Sequence, residues 1–95
     1  MKMNSNLKIV SILIENNPYF QLVNNENNTL NHPRIKRVLE RYNSYFEEMD
    51  NYIFKQNINY VSLLQFIETL DKVLTKIEHE PLYISNEVQQ FIQLS

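Results

Sequence analysis

Residues 7–14 have the sequence LKIVSILI, and the choice between helix and strand for this stretch determines the fold class. Four apolar residues recur at helical spacing: Leu7, Val10, Leu13 and Ile14. The β-branched residues of the same stretch would suit a strand equally well. Because no partner strand is evident elsewhere in the chain, we favour a helix, with Ser5 as its N-cap and an end before Pro18.

The next residues along the chain predict little regular structure. Residues 19–23 form a short apolar piece that suits one helical turn, and residues 24–31 form a polar loop rich in asparagine. Asparagine tolerates the left-handed backbone conformation, so it can replace the glycine that this chain lacks.

A long helix is predicted from residue 33 to residue 55. Asn31 or His32 caps it, and Pro33 lies in the first turn, where its missing N–H costs little. Apolar residues continue along this stretch at a spacing of three and four: Ile35, Val38, Tyr42, Tyr45, Met49 and Tyr52. This periodicity is typical of an amphipathic helix.

A second long helix is predicted over residues 59–79, capped by Asn59 and ended by Pro81. A short helix begins after Ser85. The prediction is therefore an all-α fold within a single domain, residues 1–95. Its architecture is a small helical bundle, an antiparallel hairpin of two long helices (33–55 and 59–79) with shorter N- and C-terminal helices.

Composition excludes several functional classes. The chain of 95 residues has no glycine and no cysteine, so it holds no P-loop, disulfide scaffold or thiolate metal site. Its two histidines, His32 and His79, lack the spacing of a metal site. No nucleophile motif is present. We expect a protein that is not an enzyme and that needs no cofactor or metal.

Location and source are also inferred from composition. No run of about 18 apolar residues is present, and the apolar stretch 7–14 lacks a signal-peptide cleavage site, so we expect a cytoplasmic protein with no membrane segment. Asparagine occurs 14 times and alanine is absent. This bias is typical of an AT-rich genome such as that of a phage, a plasmid or a low-GC bacterium.

Charge is distributed unevenly, although the chain carries only −2 overall. Arg34, Arg37 and Arg41 have the spacing i, i+3, i+7, which places them on one helix face, with Tyr42 and Tyr45 nearby. Such a stripe suits an acidic protein partner, and it could also bind phosphates while the tyrosines stack on bases. A second candidate surface is the acidic run Glu47, Glu48 and Asp50.

These features predict a non-enzymatic protein–protein interaction module that binds its partner through a helical face. An accessory or inhibitory protein of a phage, plasmid or low-GC bacterium is the biological role that we expect. The partner is another protein or a second copy of the chain, because so much apolar and tyrosine-rich surface is typical of an interface. The alternative is a small nucleic-acid-binding regulator that uses the same basic stripe.

Overall fold

A computed structural model describes residues 7–24, 29–48 and 50–93 of the protein. The strands are β1 (Leu7–Ile14), β2 (Asn17–Asn24), β3 (Phe46–Glu48), β4 (Ile53–Phe54) and β5 (Tyr83–Ile84). The α-helices are α1 (Pro33–Arg41), α2 (Tyr60–Lys76) and α3 (Asn86–Gln93), and 3-10 turns span Thr29–Asn31 and Asn43–Tyr45. The protein is therefore an α/β fold, and the all-α prediction is wrong.

The sheet is mixed, with strand order β3-β4-β2-β1-β5. Its centre is the antiparallel hairpin of β1 and β2, in which Leu7 pairs with Asn24 and Ile14 with Asn17. The predicted N-terminal helix is thus a strand. Its partner is the segment Asn17–Asn24, so the helical turn predicted over residues 19–23 is also part of a strand.

A two-residue turn connects β1 to β2. Glu15 and Asn16 both have positive φ, at 51° and 68°. Two consecutive residues of this kind give a hairpin turn whose twist matches that of the strands. Asn16 replaces the glycine usual at such a position, and Glu15 adopts a conformation that costs an ordinary residue roughly 1 kcal/mol.

The predicted helix over residues 33–55 ends early. The α-helix stops at Arg41, and residues 43–54 instead form a 3-10 turn, β3 and β4. Phe46 pairs with Phe54 across these two strands, and their rings stack with centroids 4.6 Å apart. Burial of both rings against α2 requires the chain to reverse direction, which a continuous helix cannot do. The predicted hairpin of two long helices is therefore absent.

The helices cover one face of the sheet. Leu7, Ile9 and Leu22 of the central hairpin are buried in the same core as side chains from all three α-helices. The helical contribution consists of Ile35, Val38, Leu39, Leu63, Phe66, Ile67, Leu70, Leu74 and Val88. The described residues thus form two layers, and none of their helices packs on the opposite face of the sheet.

The C-terminal elements complete the sheet and the core. Asn59 caps α2, where its side-chain oxygen accepts a hydrogen bond from the Ser62 N–H at 2.8 Å. Strand β5 then runs parallel to β1, and the Ser85 N–H donates to the Ile9 carbonyl oxygen at 3.0 Å. In the part of the chain that is described, no helix has the length and hydropathy required to cross a membrane.

Candidate functional site

The first α-helix begins and ends at well-defined caps. His32 is the N-cap of the helix and has an extended backbone conformation. The Nδ1 atom of His32 accepts a hydrogen bond from the Arg34 N–H at 3.1 Å. Pro33 follows in the first turn, where no hydrogen-bond donor is needed. Ile35, Val38 and Leu39 are buried on one side of α1, so the basic residues are left on the exposed side.

Three arginines of α1 line an open groove between this helix and α2. Arg34, Arg37 and Arg41 form one wall, and residues from α2 complete it: Thr69, Val73 and Lys76. Buried Val38 also contributes to the lining. The groove, which we call the α1–α2 groove, has a volume of about 270 Å³.

Four cationic side chains therefore surround one concave surface. All four of these residues are exposed, and within residues 7–24, 29–48 and 50–93 no carboxylate forms an ion pair with them. Arg41 also lies over a tyrosine, with its guanidinium carbon 5.6 Å from the ring centroid of Tyr42. Unpaired cations around a shallow groove produce a positive potential that attracts anionic ligands.

The two tyrosines of the predicted site have structural contacts. Tyr42 is the C-cap of α1, and its hydroxyl forms a hydrogen bond with Thr69 Oγ1 at 3.1 Å. Its ring packs edge-on against Phe66 and beside Tyr45, with centroids 5.7 Å and 5.1 Å away. Tyr42 therefore joins α1 to α2, while Tyr45 lies in the 3-10 turn that leads into β3.

Replacing Tyr42 with phenylalanine tests this assignment. The variant loses the bond to Thr69 but keeps the ring contacts, so we expect the free energy of unfolding to fall by about 1 kcal/mol. Urea denaturation of Tyr42→Phe, Thr69→Val and the double variant measures the coupling between the two residues. Additive losses in the double variant would show that the hydrogen bond contributes nothing.

The acidic part of the predicted site lies elsewhere. Glu47 and Glu48 belong to β3 at the outer edge of the sheet, and Asp50 follows in the turn to β4. Neither Glu47 nor Asp50 lines the α1–α2 groove. Glu47 and Asp50 are exposed, and charged residues at a sheet edge discourage pairing with other strands.

The groove includes two polar residues that the sequence did not indicate. Thr69 and Lys76 lie on α2, and only the packing of α2 against α1 brings them beside the arginines. No periodicity within one helix reveals such a pair. Across the described segments, no three histidine or acidic side chains cluster in a way that could hold a metal ion.

The geometry defines a two-layer α/β protein with a basic groove on its helical side. No protein family, curated protein or solved structure matches this chain.

Proposed function

We propose that this protein is a non-enzymatic interaction module that binds an acidic segment of a partner protein in the α1–α2 groove. The observation that carries the proposal is the convergence of Arg34, Arg37, Arg41 and Lys76 on one concave surface without carboxylate partners among the described residues. Charged residues of this kind set the orientation and the association rate of a complex.

The spacing of the arginines suits an acidic segment of the partner that is helical or extended. Arg34 and Arg41 are seven positions apart in α1, which is about 10 Å along the helix axis. Carboxylates at i and i+4 on a partner helix are about 6 Å apart, which is close to the rise between Arg37 and Arg41. The apolar side chains of Val38 and Val73 offer a floor for one apolar residue between those carboxylates.

The surroundings of the groove favour a protein over a nucleic acid. Single-stranded nucleic acids bind by stacking their bases on aromatic rings beside a basic track. Here the nearest aromatic side chain, Tyr42, is half-buried, bonded to Thr69 and packed against Phe66. The groove therefore offers charge and a small apolar floor, but it lacks a free stacking surface among the described residues.

Reversal of the three arginines is the direct test. We expect the variant Arg34→Glu/Arg37→Glu/Arg41→Glu to lose partner binding completely, because four converging cations become one cation and three anions. Its circular dichroism should match the wild type, since all three side chains are exposed. The measurement is an affinity pull-down from lysate of the source cell or its host, with nuclease added and bound proteins quantified.

A matched control variant separates the effect of the groove from the effect of net charge. Lys36, Lys55 and Lys72 are also exposed, and none of them lines the groove. Reversing all three to glutamate changes the net charge equally, and a protein that binds in the groove should still be recovered. Equal loss in both variants, or binding that survives arginine reversal, would reject the groove. Recovery of nucleic acid alone, abolished by nuclease, would support the alternative regulator.

A further inference from the structure

A pocket lies beside the start of β2, on the side of that strand that faces β4. Strand β4 pairs with β2 only through Ile53 and Gln21, and it ends at Phe54. The chain then turns, and the Ile58 N–H donates to the Lys55 carbonyl oxygen at 3.1 Å. Within the described part of the chain, no strand therefore covers the first residues of β2 on this side. We call the resulting hollow the β2 pocket.

The wall of the β2 pocket is mainly apolar. Phe20 of β2 and Phe91 of α3 are half-buried and meet edge-on, with ring centroids 5.1 Å apart. The pocket has a volume of about 200 Å³. Because sites for drug-sized ligands have roughly 300–1,000 Å³, this volume suits a ligand with a single ring. The apolar and aromatic lining residues are Pro18, Tyr19, Phe20, Ile58 and Phe91.

Lys55 and Gln56 add hydrogen-bond donors to this pocket, and they belong to the same wall because they are consecutive in the chain. The Nε2 of Gln56 donates to the Pro18 carbonyl oxygen at 3.3 Å, which holds the amide beside β2 and leaves its second N–H for a ligand.

Lys55 supplies a positive charge at a fixed point of the backbone. Its backbone N–H donates to the Tyr45 carbonyl oxygen at 2.9 Å, while its side chain is exposed. None of the carboxylates in residues 7–24, 29–48 and 50–93 forms an ion pair with its ammonium group. An ammonium group next to an amide N–H matches the two oxygens of a carboxylate.

We propose that the β2 pocket binds a small aromatic carboxylic acid, with its ring against Phe20 and Phe91 and its carboxylate beside Lys55 and Gln56. Sites for small molecules combine apolar walls with a few polar groups in this way. A ligand ring gains edge-to-face contacts with the two phenylalanines in addition to the burial of apolar surface. The lysine selects the ionised acid over a neutral ligand of the same shape, because charge-assisted hydrogen bonds are the stronger ones.

The β2 pocket is separate from the α1–α2 groove. The two hollows share no lining residue, so binding of the acid is independent of the function proposed for the groove. The groove nevertheless offers a competing site for any anion, because it contains four cationic side chains and no aromatic lining residue. The test must therefore report where the ligand binds.

Phenylacetate is the probe, and phenylacetamide is its uncharged analogue. Titration of each into the isotopically labelled full chain, followed by NMR, gives the dissociation constant and the location together. We expect phenylacetate to shift the backbone amides of Phe20, Lys55 and Phe91 and to bind about 5-fold more tightly than phenylacetamide, as is usual for an ion pair at an exposed lysine. Acetate has no ring and should leave these amides unshifted.

The variant Lys55→Gln removes the cation and leaves the core intact, because Lys55 is exposed. It should bind phenylacetate about 5-fold more weakly and phenylacetamide as the wild type does. Lys72→Gln is the matched control, since Lys72 is also exposed and does not line the pocket. Both of its dissociation constants should equal those of the wild type.

Several outcomes would overturn the proposal. Equal affinity of the wild type for the acid and the amide, or equal weakening by the two lysine variants, would show that Lys55 does not bind the carboxylate. Acetate shifts as large as those of phenylacetate would show that the ring is not recognised. Shifts confined to the α1–α2 groove, or no shift at all, would show that the β2 pocket does not bind this class of ligand.

Discussion

Replacing Phe54 with alanine should lower the free energy of unfolding by about 3–5 kcal/mol, the usual cost of removing a buried phenylalanine ring. Phe54 is fully buried, stacks on Phe46 and meets the edge of Phe66 with centroids 5.3 Å apart. It therefore joins β3, β4 and α2. Total stability for a domain of this size is about 5–15 kcal/mol, so a large part of it depends on this one ring.

Urea denaturation followed by circular dichroism measures the effect. Tyr60→Ala is the control, because Tyr60 is an aromatic residue of the first turn of α2 that is 38% exposed. We expect its loss to stay below about 1 kcal/mol. Similar losses in the two variants would show that the aromatic cluster around Phe54 is not the centre of the core.

The second large effect is expected for proline in β1. Ile12 pairs with Tyr19, and the two-residue turn places Ile12 among the residues whose N–H groups point towards β2. Proline at this position removes a hydrogen bond of the central hairpin, so Ile12→Pro should cost about 3 kcal/mol or more. Thermal unfolding of the variant and the wild type measures the loss.

The adjacent residue provides the control. The N–H of Leu13 points the other way, towards the side of β1 on which β5 pairs only with Lys8 and Ile9. Leu13→Pro should therefore cost much less than Ile12→Pro, because proline is tolerated where no ladder bond is lost. In a helix both substitutions would be severe. Equal costs would contradict the strand assignment for residues 7–14.

Some elements could be predicted because their signals are local. The 3.6-residue periodicity of the second long helix and the cap at Asn59 depend on neighbouring residues alone, and α2 is present at Tyr60–Lys76. The short C-terminal helix is present at Asn86–Gln93 for the same reason. The three arginines at i, i+3 and i+7 likewise share a face, because α1 is helical as far as Arg41.

The central hairpin of the sheet was not predicted because neither its second strand nor its turn has a typical sequence signal. Strand β2 contains Pro18 and three polar residues, and the turn before it contains Glu15 and Asn16 instead of a glycine motif. Nothing in β1 alone indicates that this segment pairs with it. Hydrogen bonding with the next segment of the chain overrode the helical spacing of residues 7–14.

The sequence did not predict that α1 ends at Arg41, because no residue there gives a helix-termination signal. Apolar residues continue at helical spacing beyond Arg41, and the chain has no glycine to signal a break. The structure depends instead on packing Phe46 and Phe54 together, a contact between residues on either side of a turn. Periodicity describes a single segment, so it carries no information on where two segments must meet. For the same reason, the contribution of Lys76 to the groove could not be predicted.

The parallel pairing of β1 with β5 has a consequence for synthesis of the chain. Lys8 and Ile9 pair with Tyr83 and Ile84, so the sheet joins residues that are 75 positions apart in the sequence. Contacts so distant in sequence slow folding, because a long loop must close before they form. The β1–β2 hairpin can form on the ribosome, but the complete sheet can form only after residue 84 has emerged. During that interval its apolar strand is available to chaperones.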